Sequence, residues 1–161
     1  MTTKILVLLN LLAFSTAVEI APFIIGGNNT EIGEFPFIVS LQFIQNGLWP
    51  HYCGGTIIND FWILTSASCT FEDDATQNRA QYGLNVISNQ PNAANVVAFD
   101  RLLWHENYDY NTHFNDIGLI KTQSAMKNEL FEYKVKLPIS SAHFVTGLDA
   151  VVVGMYNKCT K

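Results

Sequence analysis

Short runs of β-branched and aromatic residues, separated by turn formers, dominate the chain from residue 35 onward. Residues 37–43 read Phe-Ile-Val-Ser-Leu-Gln-Phe and end near Asn46-Gly47, a dipeptide that favours a tight hairpin. Further strand-like runs fall at 56–58 and 62–65, split by Asn59-Asp60, and then at 80–88, 95–104 and 116–121. Turn residues at 89–92 and 107–111 separate the later runs. Residues 126–136 carry mixed charges without a clean period and read as a loop containing a helical turn, which Leu137-Pro138 breaks. Residues 149–154 (Asp-Ala-Val-Val-Val-Gly) read as a last strand, buried by composition. Several short strands at this spacing predict an all-β sandwich or barrel, and periodicity alone does not choose between them.

The first residues follow a different pattern. Lys4 supplies a positive start, residues 5–14 are apolar apart from Asn10, and Ser15-Thr16-Ala17 offers small residues for a cleavage site. This reads as a signal peptide, residues 1–17, and the apolar run is too short to span a bilayer. Residues 18–23 form a short propeptide-like segment, and the expected product is secreted and extracellular.

Composition narrows the picture. The chain has 161 residues, 48% hydrophobic and 14% charged, which supports one folded core and argues against disorder. A net charge of −5, with the basic residues scattered singly, excludes a nucleic-acid footprint and an anionic-membrane patch. Asn28-Asn29-Thr30 is a glycosylation sequon at Asn28 in a turn-rich stretch. Cysteine is odd in number: Cys53, Cys69 and Cys159. Cys53 and Cys69 can pair, closing a loop worth about 3 kcal/mol in the chain-entropy model. Cys159 is then left as a free thiol, an intermolecular bridge, or half of a pair whose partner lies on missing chain.

Four stretches, taken in order, resemble the trypsin-like (chymotrypsin-fold) serine proteases. They are Ile24-Ile25-Gly26-Gly27; Gly33-Glu34-Phe35-Pro36 with Val39-Ser40-Leu41-Gln42; the block from His51 through Cys53-Gly54-Gly55 to Cys69; and His105-Glu106-Asn107-Tyr108 followed by Asn115-Asp116-Ile117-Gly118-Leu119-Ile120-Lys121. The resemblance implies an all-β fold, an antiparallel six-stranded Greek-key barrel over about residues 24–138. A second barrel is truncated to one strand near 150–155, within a partial peptidase domain of residues 24–161. It implies the pairing Cys53–Cys69 and an activation bond between Phe23 and Ile24. Phe23 makes that bond unsuited to a trypsin-like activator.

The resemblance also places Asp116 as the triad carboxylate and Ser68 where the family has its catalytic histidine. Acyl transfer by serine needs a nucleophile, an imidazole to take its proton, and a carboxylate to orient the imidazole. A serine hydroxyl does not act as a general base at neutral pH, and loss of the imidazole from an analogous triad costs about a million-fold in turnover. The family's Gly-Asp-Ser-Gly-Gly block does not occur in these residues. His51, His105, His113 and His143 read as surface or hydrogen-bonding residues rather than replacement bases.

Metal sites are not expected. The family's calcium loop aligns with residues 82–97, where no Asp or Glu occurs. Glu72-Asp73-Asp74 reads as a solvated turn. No cofactor is implied. The expected function is that of a secreted, catalytically inactive protease homologue acting through a protein partner or peptide ligand. The alternative is a truncated product of an active serine endopeptidase, and a third reading is a fragment without function.

Overall fold

The computed structural model describes residues 27–127, 135, 137, 147 and 149–155. Six strands follow one another in the chain: β1 Ile38–Phe43, β2 His51–Asn59, β3 Trp62–Thr65, β4 Asn78–Tyr82, β5 Val96–Trp104 and β6 Gly118–Thr122. They close into a barrel in the order β1-β2-β3-β6-β5-β4, with every pair antiparallel. The first three strands form a meander and β4 returns to pair with β1, which is the Greek-key connection. The barrel expectation is met, and closure resolves the choice between barrel and sandwich.

The alternation of side chains explains which residues fill the barrel. In β5, Val97 and Phe99 point inward, and a register shift between Phe99 and Arg101 lets Leu102 point inward again. That irregularity restores the inward phase after two exposed positions, as a β-bulge does. Phe99, Leu41, Ile57, Ile63, Ile120 and Val39 are the largest buried apolar side chains. Gly55 faces this core, where an added Cβ would lie 2.6 Å from Ile63 Cγ2 and 3.0 Å from Val39 Cγ2. The loop after β1 contains Asn46 (φ 52°) and Gly47 (φ 75°) inside the Gln45–Leu48 bridge. Positive φ at both central residues is what makes Asn-Gly a hairpin signal.

Strand β1 is buried on both faces. Val39 and Leu41 enter the core, while Ser40 and Gln42 lie under irregular chain that includes residues 88–91. This arrangement corrects the expected strand at 80–88. The strand begins at Asn78 and ends at Tyr82, because Gly83 turns at φ 66° and residues 83–95 fold back over the barrel wall.

The expected last strand at 149–154 is also corrected. Residues 149–155 carry no strand pairing, and Val151 and Val152 are 74% and 83% exposed. β-branched composition favours extended backbone, but a strand needs a neighbour to complete its hydrogen bonds. In the expected loop at 126–136, the described residues 126, 127 and 135 show no helical turn, and the others lie outside the described residues.

Candidate functional site

Ser68 is presented by the 3-10 turn Ala67–Cys69, which follows β3. Ala67 is fully buried, so the neighbouring Ser68 faces outward and is exposed. Cys69 is joined to Cys53 of β2 by a disulfide with Cα atoms 6.3 Å apart, which staples the turn to the barrel wall. Asp116 approaches from the start of β6. Gly118 permits that approach: a Cβ there would lie 2.7 Å from Thr70 Oγ1, 2.9 Å from Ser66 O and 3.0 Å from Leu103 O. Only a glycine lets the chain pass this close to the turn that carries Ser68.

The two residues meet twice. The Ser68 backbone N–H donates to Asp116 Oδ1 at 2.7 Å, and its hydroxyl donates to Oδ2 at 3.0 Å. Ser66 Oγ lies 2.9 Å from Ser68 Oγ and donates to Cys69 Sγ at 2.9 Å. The backbone just before Asp116 is left-handed at His113 (φ 56°) and Asn115 (φ 58°). Asn115 Nδ2 donates to Asn107 O at 2.8 Å and so fixes the bend that aims the carboxylate.

Tyr108 completes the cluster. Its hydroxyl interacts with the Ser68 side chain and lies 3.2 Å from His113 Nδ1. Desolvation, followed by the Asp116 carboxylate, Tyr110 and Asp109, pushes the Tyr108 phenol above its usual range, and the bond with Ser68 opposes this. Phe71 packs edge-on against Trp104 and Tyr108, with centroids at 5.6 and 5.4 Å, and stacks on Tyr110 at 6.3 Å. Residues 105–115 are thereby held against the turn bearing Ser68. Tyr108 was visible in the sequence only as part of a motif. A phenol between an expected carboxylate and an expected histidine position was the signal available.

Chemically, the site orients a hydroxyl on a carboxylate. A serine hydroxyl does not act as a general base at neutral pH. Two described histidines bond away from the cluster, His51 Nδ1 with Ser40 Oγ at 2.8 Å and His105 Nδ1 with the Asn107 N–H at 3.1 Å, while His113 meets it only through Tyr108. Burial lowers the His51 pKa. Asn28 is exposed. Phe23, Ile24, Cys159 and His143 lie outside the described residues.

The acidic stretch at 72–74 serves the local turn. Asp74 Oδ1 accepts from the Thr76 N–H at 2.9 Å and from its hydroxyl at 2.8 Å, which holds the Asp74 carboxyl below its usual value. Asp73 Oδ2 accepts from Asn78 Nδ2 at 2.9 Å. Among the described residues no three His, Cys, Asp or Glu side chains converge. The calcium ion that the family implies does not fit residues 82–97. They supply no carboxylate, and the carbonyls of Gln90 and Pro91 accept from the Arg79 guanidinium at 2.8 and 3.0 Å.

A closed six-stranded Greek-key barrel, with a disulfide-stapled turn facing an aspartate at the head of β6, defines the first barrel of a chymotrypsin-type fold. The sequence matches the family described as Trypsin over residues 24–161, and the chain belongs to that family. Trypsin Blo t 3 of Blomia tropicalis is 35% identical over 147 residues, covering 86% of this chain and 52% of its own length. Transmembrane protease serine 11C of Mus musculus is 33% identical over 129 residues, covering 80% of this chain and 28% of its own. Trypsin-1 of Astacus astacus is 28% identical over 137 residues, covering 81% and 56%. The chain thus spans about half or less of the length of these relatives. Among the described residues no helix is long and apolar enough to cross a membrane.

Proposed function

We propose that this chain is a secreted member of the trypsin family that does not hydrolyse peptide bonds and acts by binding a protein or peptide. The observation that carries the reading is the double hydrogen bond from Ser68 to Asp116. The aspartate that would orient an imidazole is engaged by a serine that stands at the family's histidine position. The carboxylate is thereby engaged where the family's imidazole would sit, and the proton acceptor that acyl transfer needs is missing from that position. The formed disulfide and the leader-like residues 1–17 support export.

The test is an assay of the protein purified from its native secretion, with its intact mass measured on the same sample. We expect no turnover of peptide amides spanning basic, aromatic and small residues. Hydrolysis that survives Ser68→Ala would show that the base lies elsewhere and would overturn the reading. Hydrolysis lost on Ser68→Ala would overturn it too, by making Ser68 itself catalytic.

A second reading rests on the coverage of the relatives. On it, these residues are part of a longer serine endopeptidase. A secreted mass near twice that of this chain, together with peptide hydrolysis, would establish it.

A further inference from the structure

We propose that Arg79 is the cation that fastens residues 83–95 to the barrel, doing for this loop what a bound metal ion does in a metal-organised one. Arg79 is only 5% exposed, yet among the described residues no carboxylate bonds to it. Its Nε donates to Gln42 Oε1 at 2.8 Å, Nη1 to Pro91 O at 3.0 Å and Nη2 to Gln90 O at 2.8 Å. The guanidinium carbon stands 4.5 Å from the centre of the Trp49 ring. Three neutral oxygens and a ring face therefore surround one buried positive charge, each contributing negative potential toward it.

The neighbours extend the same pattern. Gln42 and Arg79 are cross-strand partners, as are Ser40 and Gln81, so these side chains share the outer face of β1 and β4. Gln42 Nε2 donates to Ser88 O at 3.0 Å, and the Ser88 N–H donates to Gln81 Oε1 at 2.9 Å. Gln81 Nε2 reaches Ala94 O at 3.4 Å, and the Trp49 N–H donates to Asn89 O at 2.7 Å. The carbonyls of 88, 89, 90, 91 and 94 all find donors on the barrel side. A hard divalent ion takes six to eight oxygens, several of them charged. Residues 82–97 contain no Asp or Glu, and a second cation would meet the buried guanidinium at close range. The side chain that occupies the oxygens also repels the ion. Arg79 is a positioning residue for the loop, and the loop needs no metal.

Amide hydrogen exchange on the full chain, with calcium and with chelator, tests this. Exchange of residues 83–95 should be the same in both conditions. Arg79→Met should speed exchange of 83–95 by at least about tenfold, with the β6 amides still slow. Arg79→Lys keeps the charge but loses the planar fork, and should give an intermediate rate. Adding calcium to Arg79→Met should restore nothing. The proposal fails if calcium slows loop exchange in the wild-type chain or in Arg79→Met, or if Arg79→Met leaves the loop unchanged. Should Arg79→Met not fold, the wild-type calcium comparison and Trp49→Leu decide. Trp49→Leu keeps all three guanidinium bonds and should loosen the loop less than Arg79→Lys does. Equal exchange in Trp49→Leu and wild type, with calcium protecting both, would overturn the proposal.

Discussion

Two polar clusters sit on this barrel, and they are built on opposite terms. Over β1 and β4, Arg79, Gln42 and Gln81 are nearly sealed from solvent, and their polar groups are bonded to the loop that covers them. At the Ala67–Cys69 turn, Ser68 and Asp116 are exposed and bonded to each other. A buried cluster is expensive to break, because each lost partner strands a group away from water. An exposed cluster is cheap to change, because water replaces the partner. The comparison teaches which residues hold the fold and which are free to be altered by function.

The largest expected effect falls on the sealed side. Arg79→Met removes the donor to Gln42 Oε1 and to Pro91 O and leaves Gln90 O with only the Ala93 N–H at 3.3 Å, and should cost about 3 kcal/mol in urea unfolding. Breaking the staple is next: Cys53→Ser with Cys69→Ser should cost up to about 3 kcal/mol, since the bridge closes a separation of 16 residues. Gly118→Ala should cost about 2 kcal/mol, because its Cβ meets the backbone of Ser66 and Leu103. Asp116→Asn should change stability by less than about 0.5 kcal/mol, as its amide oxygen still accepts from the exposed Ser68 N–H. An Asp116→Asn cost equal to that of Arg79→Met would erase the contrast between the clusters.

A smaller effect depends on pH. Burial lowers the folded-state pKa of His51, so the folded chain binds its proton less readily than the unfolded chain. The stability from this group is fully present above the unfolded value near 6.5 and is lost as pH falls through the lower folded value. His51→Gln should flatten the decline in melting temperature in that window. It should leave the steeper decline below about pH 4, where Asp74 and Asp109, both held low by turn hydrogen bonds, become protonated.

Much of the barrel was legible in the chain, because inward positions of a closed sheet demand apolar residues at a period of two. Val97 and Phe99 illustrate this, and Trp62–Thr65 was placed to the residue. The failures have physical causes. Arg79 and Gln81 are polar residues in a strand buried on both faces, and alternation gives no sign that a loop will cover them. Residues 149–154 have strand composition, but pairing depends on a neighbour that no local pattern announces. In the candidate site, the meeting of Ser68 and Asp116 came from family resemblance. They stand 48 positions apart, and only the closure of β3 onto β6 brings them together. Tyr108 escaped notice because its role depends on the left-handed bend at His113 and Asn115.

Closure of the barrel also constrains how anything else can hold this protein. An open sheet offers a partner its free edge, and a peptide adds itself there as one more strand, gripped by backbone. Here each of the six strands has a neighbour on both sides over part of its length, so the barrel wall lends only short stretches of edge, such as residues 51–55 of β2 on its β3 side. Recognition of the barrel therefore runs mainly through side chains and loops, where sequence rather than backbone decides the partner. Its specificity can be rewritten by substitution at the rim without touching the wall.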